Sequence, residues 1–160
     1  MESVNEDELD WHEVERGSTH FRRKGFSRET DGEKFGCTMY ELPPGGKSWP
    51  YHFHTGNEEA MLVLAGEGTV RGPDGDRPVR AGEYVAMPAG EEGGHRVVND
   101  GDDPVRFVVF STMADPDVIV YPDSEKIGVY AGSPPGSDEP RTVNDYFRLE
   151  DAVDYWDGET

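Results

Sequence analysis

The stretch PYHFHTGNEEAMLVLAG, residues 50–66, places His52 and His54 one residue apart, turns through Thr55, Gly56 and Asn57, and re-enters an apolar run by way of Glu58 and Glu59. On a strand, successive side chains take opposite faces, so His52 and His54 point together while Tyr51 and Phe53 point away. Two ligands of one ion need this arrangement. A hairpin through TGNE would bring the next strand alongside, with Glu59 near the imidazoles and Glu58, of opposite parity, at the surface. The run from Ala60 to Leu64 reads as a strand buried on both faces, so a carboxylate at its mouth requires a partner. The histidine pair alone is weak evidence. With 5 histidines in 160 residues, such a pair arises by chance about 0.15 times per chain, and ordinary polar residues beside a core strand would explain it equally well.

Outward from this stretch, short β-branched or aromatic runs alternate with turn clusters at spacings of roughly ten residues, the pattern of an all-β sandwich or barrel. Strands are expected over 36–42, 49–54, 59–66, 68–72, 77–82, 83–88, 95–100 and 105–112, with one more around 118–121. Between them lie LPPGG, HTGNE, PDGD, PAGEEGG and NDGDDP, rich in the residues that tight turns require. One domain is expected, with a charged N-terminal arm over 1–34 that lies on the barrel or frays, a barrel over 35–121, and a C-terminal extension over 122–160 packed on it. In that extension a Pro/Gly/Ser loop, AGSPPGSDEP, precedes Leu149, Val153 and Trp156, whose spacing predicts a short amphipathic helix with a packing role.

The net charge of −19 would repel a nucleic-acid backbone or an anionic membrane surface. With only Lys24, Lys34, Lys47 and Lys126 against 34 acidic residues, the composition resembles that of proteins from salt-accumulating halophiles such as halophilic archaea, where surface charge answers to solvent. The single Cys37 can form no intramolecular disulfide, and MESVNEDELDW lacks the basic and apolar regions of a signal peptide. The apolar runs AMLVLA and FVVF are far shorter than the ~20 residues of a membrane-spanning helix. A soluble, cytoplasmic protein is expected.

Wider spacing strengthens the histidine pair. Gly46 stands six positions before His52, Glu59 five after His54 and Gly66 seven after Glu59, while Gly82, Pro88 and Gly90 precede His95 and Asn99 follows it. On these residues the sequence resembles the cupin superfamily. The first cupin motif, G(x)5HxH(x)3,4E(x)6G, is matched throughout by Gly46, His52, His54, Glu59 and Gly66. The second, G(x)5PxG(x)2H(x)3N, is matched by Gly82, Pro88, Gly90, His95 and Asn99, except that four residues, EEGG, separate Gly90 from His95 where the pattern has two. That insertion falls in a Gly-rich turn, which a longer loop can absorb. The resemblance covers about 35–121, and ELPPGGKSWPYHFH, VIVYPDSEKIGV and EDAVDYWDGE are similar to stretches of small single-domain bacterial and archaeal cupins.

The resemblance implies a double-stranded β-helix, or jelly-roll barrel, with His52, His54, Glu59 and His95 as ligands of a metal in its mouth. Three imidazoles and a carboxylate suit a divalent transition metal such as Fe, Mn, Ni, Co or Zn, and an octahedral ion would keep two positions open. It further implies a metal-dependent enzyme acting on a small chelating, oxygen-bearing substrate by dioxygenase, decarboxylase or isomerase chemistry. The alternative is a non-catalytic small-ligand-binding cupin acting as sensor or store. Homodimers through sheet edges belong to the same resemblance.

Strand parity puts Ser48, Pro50, Met61 and Val63 inward and Lys47 and Arg96 outward. With no inward basic residue to hold a phosphate, a phosphosugar isomerase is disfavoured. Tyr40 and Tyr84 are the candidate acid or base residues near the metal. His12 and His20 are expected to be solvated, and Asn99 to make a structural hydrogen bond at a strand end.

The charge density generates a first prediction. Like charges repel more strongly as screening falls, so the midpoint of thermal unfolding should rise with NaCl between low and molar concentrations. A midpoint independent of salt would remove the halophile reading.

Overall fold

Alternation of apolar and polar side chains carries the described residues through thirteen strands. The computed structural model describes residues 1–30, 32–134 and 139–159. The strands are β1 (His12–Arg16), β2 (Thr19–Gly25), β3 (Gly36–Leu42), β4 (Phe53–His54), β5 (Glu59–Ala65), β6 (Glu67–Gly72), β7 (Gly75–Arg80), β8 (Tyr84–Met87), β9 (Arg96–Val98), β10 (Val105–Ser111), β11 (Asp117–Tyr121), β12 (Lys126–Ala131) and β13 (Val143–Arg148). They pair antiparallel in three sheets, ordered β1-β2-β3-β10-β5-β8, β13-β12-β11-β4 and β7-β6-β9. This is the expected all-β jelly-roll barrel.

The inner face of the largest sheet is the core. Phe21, Leu42, Met61, Val63, Val105 and Phe107 are all but completely buried, and each such side chain stabilises the fold by about 1.5–3 kcal/mol relative to exposure. Tyr40 stacks on Phe107 with ring centroids 5.4 Å apart, and Phe21 meets Trp49 edge-on at 4.8 Å. Asn99 is completely buried and donates from Nδ2 to the carbonyls of Leu42 and Asp103, the structural role expected of it. Two motif glycines are required by close approach. A Cβ at Gly46 would lie 2.5 Å from the carbonyl oxygen of His20, and Gly66, at φ +78°, packs against the carbonyl of Pro104.

Several expectations are corrected. The strand over 49–54 shrinks to Phe53–His54, because Pro50 has no N–H to give the ladder, although Lys47 and His52 still bridge to Val98 and His95. The chain from His54 to Glu59 makes no hairpin, for β4 pairs with β11 while β5 pairs with β10 and β8. The turn is instead a crossing between sheets, docked by the buried Asn57 on Ala114. β5 is buried on one face only, since Met61 and Val63 point inward but Leu64 is exposed. The charged residues before 35 supply two strands, β1 and β2, to the main sheet. The C-terminal helix reduces to one 3-10 turn, Leu149–Asp151, after a strand, and Leu149, Val153 and Trp156 are exposed. Residues 135–138 of the expected Pro/Gly/Ser loop lie outside the described residues. Among the described residues no helix is long and apolar enough to cross a membrane.

One carboxylate ties three strands together. Glu41 on β3 accepts from Arg22 of β2 at 2.8 Å and from Arg106 of β10 at 2.8 and 3.1 Å. Burial pushes its pKa up, but the hydrogen bonds and charges of the two guanidinium groups outweigh burial and hold it below the ordinary carboxylate value. A lowered folded-state pKa contributes stability that is present above the unfolded pKa and lost as pH falls through the folded one. Acid unfolding followed by circular dichroism should therefore show Glu41→Gln less stable than wild type near neutrality, with the difference narrowing below about pH 4. Parallel curves at all pH values would contradict this linkage.

Candidate metal centre

Two separate pieces of chain deliver the imidazoles. His52 and His95 face each other across an antiparallel bridge, His52 N–H donating to the His95 carbonyl at 3.3 Å and His95 N–H to that of His52 at 2.9 Å. Their rings stand 4.7 Å apart between centroids, and His54 follows on β4 with its ring 5.2 Å from that of His52. Glu59 opens β5 and extends a carboxylate oxygen to within 3.5 Å of His54 Nε2 and 3.4 Å of His95 Nε2. One ligand atom from each of His52, His54 and Glu59 can be chosen so that all lie within 4.8 Å of one another. The structure thus brings together all four residues singled out in the sequence.

The other nitrogen of each ring is occupied. His52 Nδ1 lies 2.8 Å from the carbonyl of Pro50, and His95 Nδ1 lies 2.9 Å from that of Gly93. A carbonyl only accepts, so in both rings Nδ1 carries the proton and Nε2 keeps its lone pair. His54 Nδ1 donates to Asp117 Oδ2 at 2.5 Å, and Asp117 Oδ1 accepts the Gly56 N–H at 2.9 Å. Backing each ring with an oxygen acceptor is how metal-binding histidines are oriented.

The electrostatics agree with this geometry. Burial, reinforced by the neighbouring imidazoles, pushes the pKa of His52 well below its ordinary value. Burial also lowers that of His95, partly offset by Glu59 and the Gly93 carbonyl. Burial acts the same way on His54, but the Asp117 hydrogen bond and the Glu59 charge prevail and its pKa rises. Two ligands separated by 3.4–3.5 Å are close to the spacing that one ion imposes, about 3.0–3.4 Å for bonds of ~2.1 Å. The donor set therefore fits a divalent transition metal.

These residues line a cavity of about 850 Å³ whose wall includes Met61, Met87, Val97, Phe107 and Ile119. Of the two tyrosines singled out, Tyr40 is buried in this wall, whereas Tyr84 is exposed on another face. Tyr121 stacks on His52 with centroids 5.8 Å apart, and behind it the hydroxyls of Tyr130 and Tyr146 hydrogen-bond. Glu58 is exposed, as expected. His12 is exposed but reaches the cavity rim, and His20 pairs with Glu13 at 3.1 Å, a partner brought by the β1-β2 hairpin.

The expected absence of inward basic residues does not hold, for Arg23, Arg28 and Arg141 all line the cavity. They come from segments that parity counted from His52 could not reach. Asp117 was missed too. Its signal is local, a single acid opening the apolar run VIVY at the parity of Ile119 and Tyr121, but its partner is 63 residues away.

Comparison with known proteins agrees with this architecture. Residues 38–111 match the cupin domain family. A sugar phosphate isomerase of the cupin superfamily from Silicibacter pomeroyi superposes with a TM-score of 0.80 at 21% identity, covering 98% of each chain. The polyketide cyclase RemF from Streptomyces resistomycificus gives a TM-score of 0.61 at 25% identity over 69% of this chain and 78% of its own. A predicted oxalate decarboxylase from Thermotoga maritima gives 0.60 at 20% identity over 69% and 98%. No curated protein sequence matches the chain. The fold is that of a small cupin.

The Asp117 contact yields a prediction. In Asp117→Asn an amide N–H would face His54 Nδ1, favouring the tautomer whose proton sits on Nε2. Affinity for Zn or Mn, measured by chelator competition, should fall about 10–100-fold. Unchanged affinity in a folded variant would show that Asp117 serves only the turn at Gly56.

Proposed function

We propose that this chain is a metal-dependent enzyme that acts on a small oxygen-bearing substrate by proton transfer, in the manner of an isomerase or decarboxylase. The observation that carries the reading is the set of three imidazoles with Nδ1 engaged, those of His54 and His95 holding Nε2 within 3.5 Å of Glu59, beside a cavity that also holds hydrogen-bond donors. His52, His54, His95 and Glu59 would hold one Fe, Mn, Ni, Co or Zn ion. When bound, such an ion supplies Lewis-acid polarisation of a substrate oxygen and a centre on which two oxygens can chelate.

The chain's own residues supply the rest. Met61, Met87, Val97 and Phe107 exclude water from the inner wall of the cavity, which strengthens every polar contact made there. Tyr40 is the best-placed proton donor. Trp49 Nε1 donates to its hydroxyl oxygen at 3.3 Å, which leaves the phenolic proton for the cavity. Burial raises the Tyr40 pKa, keeping that proton in place at neutral pH. Tyr121, whose pKa burial and the neighbouring phenols likewise raise, is a second donor against the face of His52.

Two measurements test the reading. Elemental analysis of untagged protein purified without chelators should find about one transition-metal ion per chain, and a folded His52→Ala variant should lack it. The loaded protein should then catalyse deuterium exchange from D2O into α-hydroxy aldehydes, ketones or acids, with Tyr40→Phe slower by roughly 100-fold or more. Stoichiometric metal with no exchange in any of these compounds would overturn the enzyme and leave a small-ligand-binding cupin.

A further inference from the structure

Four arginines on the outside of the barrel are ion-paired, whereas Arg16, Arg77 and Arg80 are exposed to solvent. Arg22 and Arg106 share Glu41, Arg71 holds Asp123 at 2.6 Å, and Arg148 reaches Glu150 at 3.5 Å. Arg23 differs. It has the parity of the buried Phe21 on β2, so it points inward, and in register it stands directly opposite Tyr40 on β3. Its guanidinium lies 5.5 Å from the ring centre of Trp49, and its charge bears on Tyr40, favouring the ionised phenol. Among the described residues no carboxylate lies within ion-pair distance of it, although Glu8, Asp10 and Glu29 line the same cavity.

A half-buried guanidinium without a counter-charge is left with unused donors in a setting where charge is costly to leave unmatched. Its planar fork of N–H groups suits a carboxylate or phosphate. Tyr40 connects it to the metal centre, since the same phenol feels the charges of both Arg23 and Glu59. The strands bearing Arg23 and Glu59 are three spacings apart in the main sheet, roughly 14 Å between strand axes before the side chains reach inward. A substrate of several carbons could span that gap, chelating at one end and anionic at the other.

We propose that Arg23 is a specificity-determining residue that anchors a terminal oxyanion, carboxylate or phosphate, so that the cavity selects small anionic substrates. The proposal deepens the metal-dependent reading above and rests on it for the position of the chelating end, but oxyanion binding at Arg23 can be measured without metal.

The test is titration of the full chain, stripped with a chelator, with inorganic phosphate and separately with acetate, read by calorimetry. Wild type should bind at least one of the two. Arg23→Gln should weaken that binding tenfold or more, with Arg23→Lys intermediate and the outward Arg22→Gln equal to wild type. Thermal midpoints and metal content on reloading should match wild type for the two Arg23 variants, which a packing role for Arg23 would not allow. Preference for phosphate or for acetate would identify which oxyanion the substrate carries. Failure of wild type to bind either, or equal binding by Arg23→Gln, would overturn the anchor. Loss of metal in wild type with oxyanion binding intact would instead count against the metal-dependent reading alone.

Discussion

The hydrogen bond between His54 and Asp117 joins two residues 63 positions apart, on neighbouring strands β4 and β11, with the carboxylate wholly buried. Burying a carboxylate is unfavourable unless its oxygens are matched, and here both are, one by the imidazole and one by the Gly56 N–H. The same contact sets the proton on Nδ1 and leaves Nε2 directed at Glu59. Backbone carbonyls of Pro50 and Gly93 do this for His52 and His95. At the candidate metal centre, then, each of the three imidazoles has an oxygen acceptor placed behind it.

The barrel is arranged around that requirement. β5 and β10 supply the apolar inner wall, and the crossing from β4 to β5 brings Glu59 to the imidazoles from a different sheet. A site assembled across sheets is held by the packing of both, so each ligand inherits the rigidity of the core. The irregular residues 47–52, freed from a continuous ladder by Pro50, place Trp49 against Phe21 and Tyr40 while keeping His52 bridged to His95.

Charge is distributed unevenly over the molecule. The chain carries −19 overall, yet Arg23, Arg28 and Arg141 line the cavity together with three histidines of the centre. Glu8, Asp10, Glu29 and Glu59 line the same cavity, so it holds charges of both signs, while the acidic exterior repels polyanions. The segments that bring these arginines, β2, the chain that follows it and the residues before β13, lie outside the 38–111 region matched by the cupin family. Segments outside the barrel region thus contribute to the lining of the cavity.

Much of this was legible in the chain. Period-two patterning and Gly/Pro punctuation located β3 and β5 to β11 within a few residues, because those signals are local. Histidine and glycine spacing located His52, His54, Glu59 and His95, because a motif records positions that must converge. The pattern was silent where charge masked strand periodicity, as in HFRRK of β2, and where helical spacing of Leu149, Val153 and Trp156 occurred without a surface to pack against. The sequence by itself determined the barrel and the four candidate ligands, through local alternation and spacing. Only the tertiary structure decided that His54 and Glu59 stand on different sheets, that Asp117 backs His54, and that Arg23 faces the same cavity, because each depends on which distant strands become neighbours.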